Sequence, residues 1–233
     1  MTSDGIESYK ELKDLVLLNL KTQWLNFYQQ VQVIGKYYRK ASYIKADTSL
    51  LLEYLWNNPF TISRRFLEKK NESDVHRYGE TPLTTFDYIV KASGITNKDT
   101  FYELGCGRGR TCFWINSFVG CKVIGIDYIP EFIARAQKIV NKYHLKNLEF
   151  KCNDITKENY NDATVIYLYG TCLEDHEIEN LIQRLKSLPK GVKIITVSFA
   201  LNEYDLSHSF EIIKCFPATF TWGQGDVYIQ IKK

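Results

Sequence analysis

Apolar positions along this chain follow two rhythms, and the change from one to the other divides it. From about 8 to 34, Leu12, Val16, Leu20, Trp24, Phe27, Val31 and Ile34 recur at three- and four-residue intervals. That spacing puts them on one helix face and predicts an amphipathic helix in need of a partner surface. A basic, tyrosine-rich patch follows, KYYRKASYIK at 36–45. DTSLLLEYLW then reads as a capped short helix stopped by Asn58-Pro59, and Thr61 opens another, ISRRFLEKK, before the polar loop NESDVHRYGETP. Residues 1–76 are expected to form a helical accessory region, joined without a visible linker to the main domain, 77–233.

Beyond 82 the pattern switches to alternating helices and strands. A helix over 83–93 gives way at Gly94, the strand TFYEL starts near 100, and the segment after Gly109 is helical to about 118. KVIGID, LEFKCND, ATVIYLY and VKIITVSF read as further strands, with PEFIARAQKIVNKY and EDHEIENLIQRLKSL as helices among them. HSFEIIKCF and DVYIQIKK, joined by PATFTWGQG, read as a terminal antiparallel pair. The pattern predicts an α/β fold, a doubly wound, mostly parallel seven-stranded sheet with helices on both faces.

Composition narrows the class. The chain has 233 residues, enough for one sizeable α/β core and an accessory segment, and its net charge of +3 neither demands nor excludes nucleic acid. Cysteines at 106, 112, 121, 152, 172 and 215 form no C-x-x-C pair. They read as reduced core residues of a cytoplasmic protein. Leu15 to Leu20, broken by Asn19, is too short to span a bilayer and wrongly flanked for a signal peptide, so a soluble protein is expected. His76, His144, His176 and His208 show no metal-site spacing, and no metal is expected; only His76 lies close to a motif.

The candidate chemistry sits in FYELGCGRGR, 101–110. An apolar strand ends in an acid, and glycines at 105, 107 and 109 let the backbone pass under a ligand without Cβ interference. A dinucleotide fold wants its third glycine at 110, where this chain has Arg110, which favours S-adenosylmethionine over NAD. About twenty residues on, the next apolar run ends in Asp127, where a ribose-binding acid belongs.

Here the chain resembles the class I S-adenosylmethionine-dependent methyltransferases. Their motif I, an acid followed by x-G-x-G-x-G, is matched by Glu103, Gly105, Gly107 and Gly109, and their ribose acid by Asp127. The adjacent Cys106 and Tyr128 join the expected donor site. The resemblance also implies that Asp154 reaches the adenine amino group with Ile155 against the ring, although a plain Asn-Asp turn reads equally well. Tyr78-Gly79-Glu80-Thr81, together with motif I and the run after the fourth strand, resembles the disruptor-of-telomeric-silencing family of non-SET protein-lysine methyltransferases over roughly 74–200. It implies a loop folded over the donor, with Glu80 and Thr81 in contact and Tyr78 walling the site, and a loop there is a natural gate. One departure bears on the acceptor: after the fourth strand that family has an N-N-F string, and this chain reads Tyr169-Gly170-Thr171-Cys172.

Methyl transfer from a sulfonium is an in-line displacement that needs a fixed donor, an aligned nucleophile and exclusion of water, but no metal. Tyr78, Tyr169, Phe199 and Trp222 would desolvate a lysine and favour its neutral form, which makes Tyr169, Tyr78 and Trp222 the candidate catalytic residues. Each aromatic alone is more often core packing. YGTC matches neither the N/D-P-P-Y/F string of amino-methylating DNA enzymes nor the Pro-Cys of cytosine-C5 enzymes. The 36–45 patch, with Tyr37, Tyr38 and Tyr43, fits base stacking or a solvated helix face. The expectation is a methyltransferase acting on a protein amino group, a lysine. A small-molecule or RNA acceptor, and a non-catalytic donor-binding scaffold, stay open.

Overall fold

The computed structural model describes residues 27–233, together with 13, 17 and 24. The chain divides into two compact units, Met1–Arg39 and Lys40–Lys233. In the first, helix α1 covers 27–37, and positions 13, 17 and 24 are helical as well. Leu12, Val16 and Leu20 of the predicted amphipathic face lie outside the described residues. Trp24, Phe27, Val31 and Ile34 of that face are exposed.

The second unit opens with α2 (Ala41–Glu53), α3 (Pro59–Lys70) and α4 (Leu83–Ser93). Then come β1 (Thr100–Leu104), α5 (Arg110–Phe118), β2 (Lys122–Asp127), α6 (Pro130–Tyr143) and β3 (Leu148–Cys152). β4 (Val165–Leu168), α7 (Asp175–Lys186), β5 (Lys193–Val197), a 3₁₀ turn (Leu201–Glu203), β6 (Phe210–Phe220) and β7 (Gly223–Lys232) complete it. The seven strands form one sheet in the order β3-β2-β1-β4-β5-β7-β6. β3 through β5 are parallel, while β7 lies antiparallel to β5 and to β6. This is the doubly wound sheet with a terminal hairpin that the alternation predicts.

Parallel strands covered on both faces read as continuous apolar runs, and β4, VIYL, is buried throughout. Successive residues serve opposite faces. Tyr102, Leu104, Ile166 and Leu168 pack with Ile178, Leu181, Ile182 and Leu185 of α7. Phe101 and Tyr167 instead meet Phe86 of α4, at ring-centroid distances of 6.1 and 5.3 Å. Gly125 in the middle of β2 permits a close approach, because a Cβ there would stand 2.8 Å from the Phe150 ring and 2.9 Å from Cys112 Sγ.

Three local readings are corrected. Pro59 does not merely stop a helix: it is the first residue of α3, where its missing N–H is harmless, and the Asn58 side chain caps it by accepting from Phe60 N at 2.9 Å. β6 runs through Pro217 to Phe220, a proline being tolerated because β6 is an edge strand with no partner to receive that N–H. Asp47, read as a cap, lies inside α2 and is fully buried, its carboxylate receiving Arg110 Nε and Nη2 at 2.7 and 2.9 Å. α2 packs on α5 and α6, so the compact unit begins inside the stretch read as accessory. Among the described residues no helix is long and apolar enough to cross a membrane.

Breaking a buried ion pair from one side leaves an uncompensated charge. Asp47→Ala is therefore expected to lower stability by about 3–5 kcal/mol, read as a reduced urea midpoint. A midpoint unchanged from the parent would show that Arg110 does not depend on this acid.

Candidate active site

The turn from β1 into α5 forms the floor of the site. Gly105 N and Cys106 N both donate to Ile126 O, at 2.8 and 2.9 Å, which straps the turn to the end of β2. One residue on, Asp127 accepts from Gly107 N at 2.8 Å and from Ile129 N at 2.9 Å. Gly107 has φ +53°, and a Cβ on it would stand 3.0 Å from the Tyr78 ring. At Gly105, φ +72°, a Cβ would meet nothing within 4 Å beyond its own chain neighbours, so the room beside it is open.

That space belongs to a cavity of about 380 Å³, within the usual range for small-molecule sites. Gly105, Gly107, Asp127, Tyr128, Asp154, Ile155, Tyr78 and Tyr169 all line it. Burial pushes the Asp127 carboxyl up to about 6, and the N–H groups of Ile129 and Gly107 oppose the rise. Each of its oxygens keeps a lone pair for a ligand hydroxyl. Asp154 faces the cavity but accepts from Thr156 N at 2.8 Å and Thr156 Oγ1 at 2.7 Å, the pattern of a plain turn. Burial works to raise its carboxyl, and those hydrogen bonds together with Lys157 hold it below the usual range.

The remaining expected residues stand outside the lining. Glu103 turns to α5, taking Thr111 Oγ1 at 2.5 and 2.7 Å and the Cys112 thiol at 3.0 Å, and burial raises it to about 7 against those donors. Gly109 accommodates the Phe150 ring, and Cys106 is buried beneath the turn. Glu80 forms a two-pronged ion pair with Arg108, 2.6 Å to Nε and 2.7 Å to Nη2, and Thr81 bonds the Tyr167 hydroxyl at 2.6 Å. Both polar groups thus engage protein partners instead of the cavity. Trp222 reaches the cavity only through Tyr169, donating Nε1–H to its hydroxyl at 2.6 Å while stacking on Phe220 at 5.3 Å. His76 is exposed and away from the lining, and the described residues contain no cluster able to hold a metal.

Sequence reasoning predicted α3 but missed its place in the site, where Ser63, Leu67 and Lys70 line the cavity. The available signal was Ser63, a polar residue four before Leu67 on the helix's buried stripe. It also missed Arg77, which pairs with Glu177 and donates Nε–H to Cys172 O at 2.9 Å.

Residues 95–214 match the family described as methyltransferase domain. The chain belongs to that family. Curated relatives include an H3 lysine-79 specific histone-lysine N-methyltransferase of Dictyostelium discoideum, 24% identical over 52% of this chain and 7% of that protein. A sterol 24-C-methyltransferase of Saccharomyces cerevisiae is 28% identical over 51% of this chain and 29% of its own length. The chain thus spans only a minor part of these relatives. An RNA methyltransferase from Salinibacter ruber in complex with S-adenosylhomocysteine shares the fold at TM-score 0.55, with 21% identity over 66% of this chain and 93% of that one. The magnesium protoporphyrin IX methyltransferase of Synechocystis PCC 6803 with bound S-adenosylmethionine does so at TM-score 0.56, with 15% identity over 78% and 94%.

The cavity fits S-adenosylmethionine, with open space beside Gly105 and a buried acid at the tip of β2. A carboxylate accepts from hydroxyls and a protonated carboxyl competes poorly, so donor affinity is expected to be level well above about pH 6 and to fall as the pH drops through it. Asp127→Asn should flatten that profile and weaken binding near neutrality by about 1–3 kcal/mol. Calorimetric titration across the range checks both. A parent protein without pH dependence, or an Asn variant of full affinity, would remove Asp127 from the site.

Proposed function

We propose that the protein transfers a methyl group to a protein amino group, a lysine side chain. The observation that carries this reading is the aromatic wall at the end of β4. Tyr169 lines the cavity, its ring centroid lies 5.6 Å from that of Phe220, and Trp222 stacks on Phe220 with planes 3° apart. Such a wall excludes water, favours the neutral, nucleophilic amine, and attracts the methylated cation that forms. Glu72 in the lining suits the approach of a cationic segment, while Glu177 is already paired with Arg77. The match to a histone-lysine methyltransferase supports the reading.

In this reading Gly105, Gly107, Asp127, Tyr128, Asp154 and Ile155 hold the donor. Glu103, Cys106, Gly109 and Glu80 support the turn from behind, and Thr81 holds its segment to β4 through Tyr167. Tyr169 and Tyr78 align the acceptor, with Trp222 fixing the Tyr169 hydroxyl. Bound S-adenosylmethionine supplies an electrophilic methyl group whose sulfur departs as a thioether. Residues 77–233 make up the donor-binding domain and 1–76 its helical accessory region, which lends α3 to the cavity wall. Six free cysteines support a cytoplasmic location. In the 36–45 patch Tyr37 and Tyr43 are buried, which removes two of its three tyrosines from base stacking, while Lys36, Arg39 and Lys45 are exposed. A small-molecule acceptor is the second reading, favoured by the sterol methyltransferase match.

Incubation with labelled S-adenosylmethionine and fractionated lysate is expected to put label into protein. With that acceptor, Tyr169→Ala should reduce kcat roughly ten- to a hundredfold, the scale of lost positioning, while donor affinity stays intact. Label confined to small molecules or RNA would replace the lysine reading. Full activity of Tyr169→Ala would place the acceptor elsewhere.

A further inference from the structure

Tyr78 to Thr81 form a segment outside helix and strand, and its four residues address two elements in alternation. Tyr78 and Glu80 engage the β1–α5 turn. The Tyr78 ring covers Gly107, Glu80 holds Arg108, and the Tyr78 hydroxyl donates to Glu80 at 2.5 Å. Gly79 and Thr81 engage β4 and its end. A Cβ at Gly79 would stand 3.0 Å from Tyr169 Cε1, and Thr81 bonds the Tyr167 hydroxyl. Neighbouring residues thus make their contacts on different elements, and the segment stands between the donor turn and the wall that contains Tyr169.

We propose that Tyr78–Thr81 is a wedge that sets the acceptor wall from the donor turn, with Gly79 and Glu80 as positioning residues. Gly79 acts by lacking a side chain: the Tyr169 ring rests against its backbone, which places the hydroxyl within 2.6 Å of Trp222 Nε1. No positive φ demands glycine here, so the close approach is the physical reason for it. Glu80 acts through Arg108, whose guanidinium is held against the Tyr54 ring at 5.7 Å and so gives the segment a fixed point on the turn. The proposal rests on Tyr169 being the acceptor wall, but its mechanical content can be read without an acceptor.

The Trp222 indole N–H reports on the wall, being one of four tryptophan signals in a ¹H–¹⁵N spectrum, assigned with Trp222→Phe. Gly79→Val should displace Tyr169 and move this signal away from its hydrogen-bonded position, leaving the buried Trp114 signal in place. S-adenosylmethionine affinity should stay within about threefold of the parent. The paired change Glu80→Gln with Arg108→Gln, which leaves no lone buried charge, should move the same signal; Gly79→Ala replaces Gly79→Val should the larger side chain prevent folding. An unmoved Trp222 signal in either variant overturns the wedge. So does a loss of donor affinity beyond about tenfold in the Gly79 variant, which would put the segment in the donor site itself. Failure of the acceptor reading is distinguishable: Tyr169→Ala would then transfer label at the parent rate while the indole signal still moves.

Discussion

Two backbone N–H groups converge on the buried carboxylate of Asp127, and the geometry of the glycine-rich end of the cavity follows from that convergence. One comes from Gly107 in the turn after β1, the other from Ile129 at the start of α6. β1 and β2 run parallel with Leu104 opposite Ile126, so Asp127 is the first residue beyond the last pair. From there it reaches a turn already strapped to Ile126 O by two further hydrogen bonds. A single side chain thus fixes the outlet of two strands and the entrance of a helix, in surroundings that exclude enough water to raise its own carboxyl to about 6. A carboxylate held in this way stays ordered for a ligand and pays little further reorganisation when one binds.

The same turn creates an electrostatic difficulty. Arg108 and Arg110 stand at the amino end of α5, where the helix dipole disfavours cations and burial strips them of water. Each is answered by one acid from outside the sheet: Glu80 from the segment before α4, and Asp47 from α2. The stretch before the sheet therefore carries countercharges for the glycine-rich turn. α2 is bound into the compact unit by this requirement as well as by its packing on α5 and α6.

In the proposed reading, the donor and acceptor sides of the cavity differ in origin. The donor side comes from the ends of β1, β2 and β3, with Gly105, Asp127 and Asp154. The acceptor side comes from pieces distant in sequence: α3, the segment around Tyr78, the end of β4, and the β6–β7 hairpin through Trp222. A fold hosts many chemistries by varying such loops, and relatives named for histone lysine and for sterol fit that division.

The pattern of apolar residues was sufficient for the seven strands, a mostly parallel sheet and the terminal hairpin, because strand and helix periods are set by backbone geometry alone; the strand order came only with the fold. The glycines at 105 and 107, with Asp127, were legible for a related reason: a turn that must pass under a ligand excludes side chains, and the strand-end acid follows at a distance set by one crossover. What the sequence left undecided were partners at long range. Glu80 reads as a donor contact by its motif, yet in the fold it lies within 2.6 Å of Arg108, 28 residues away. Asp47 reads as a helix cap, yet it meets Arg110 across 63 residues. Local period and turn chemistry depend on neighbours along the chain and can be read from it. Charge pairing and the lining of a cavity depend on which surfaces the packed sheet brings together, and only the tertiary structure decides that.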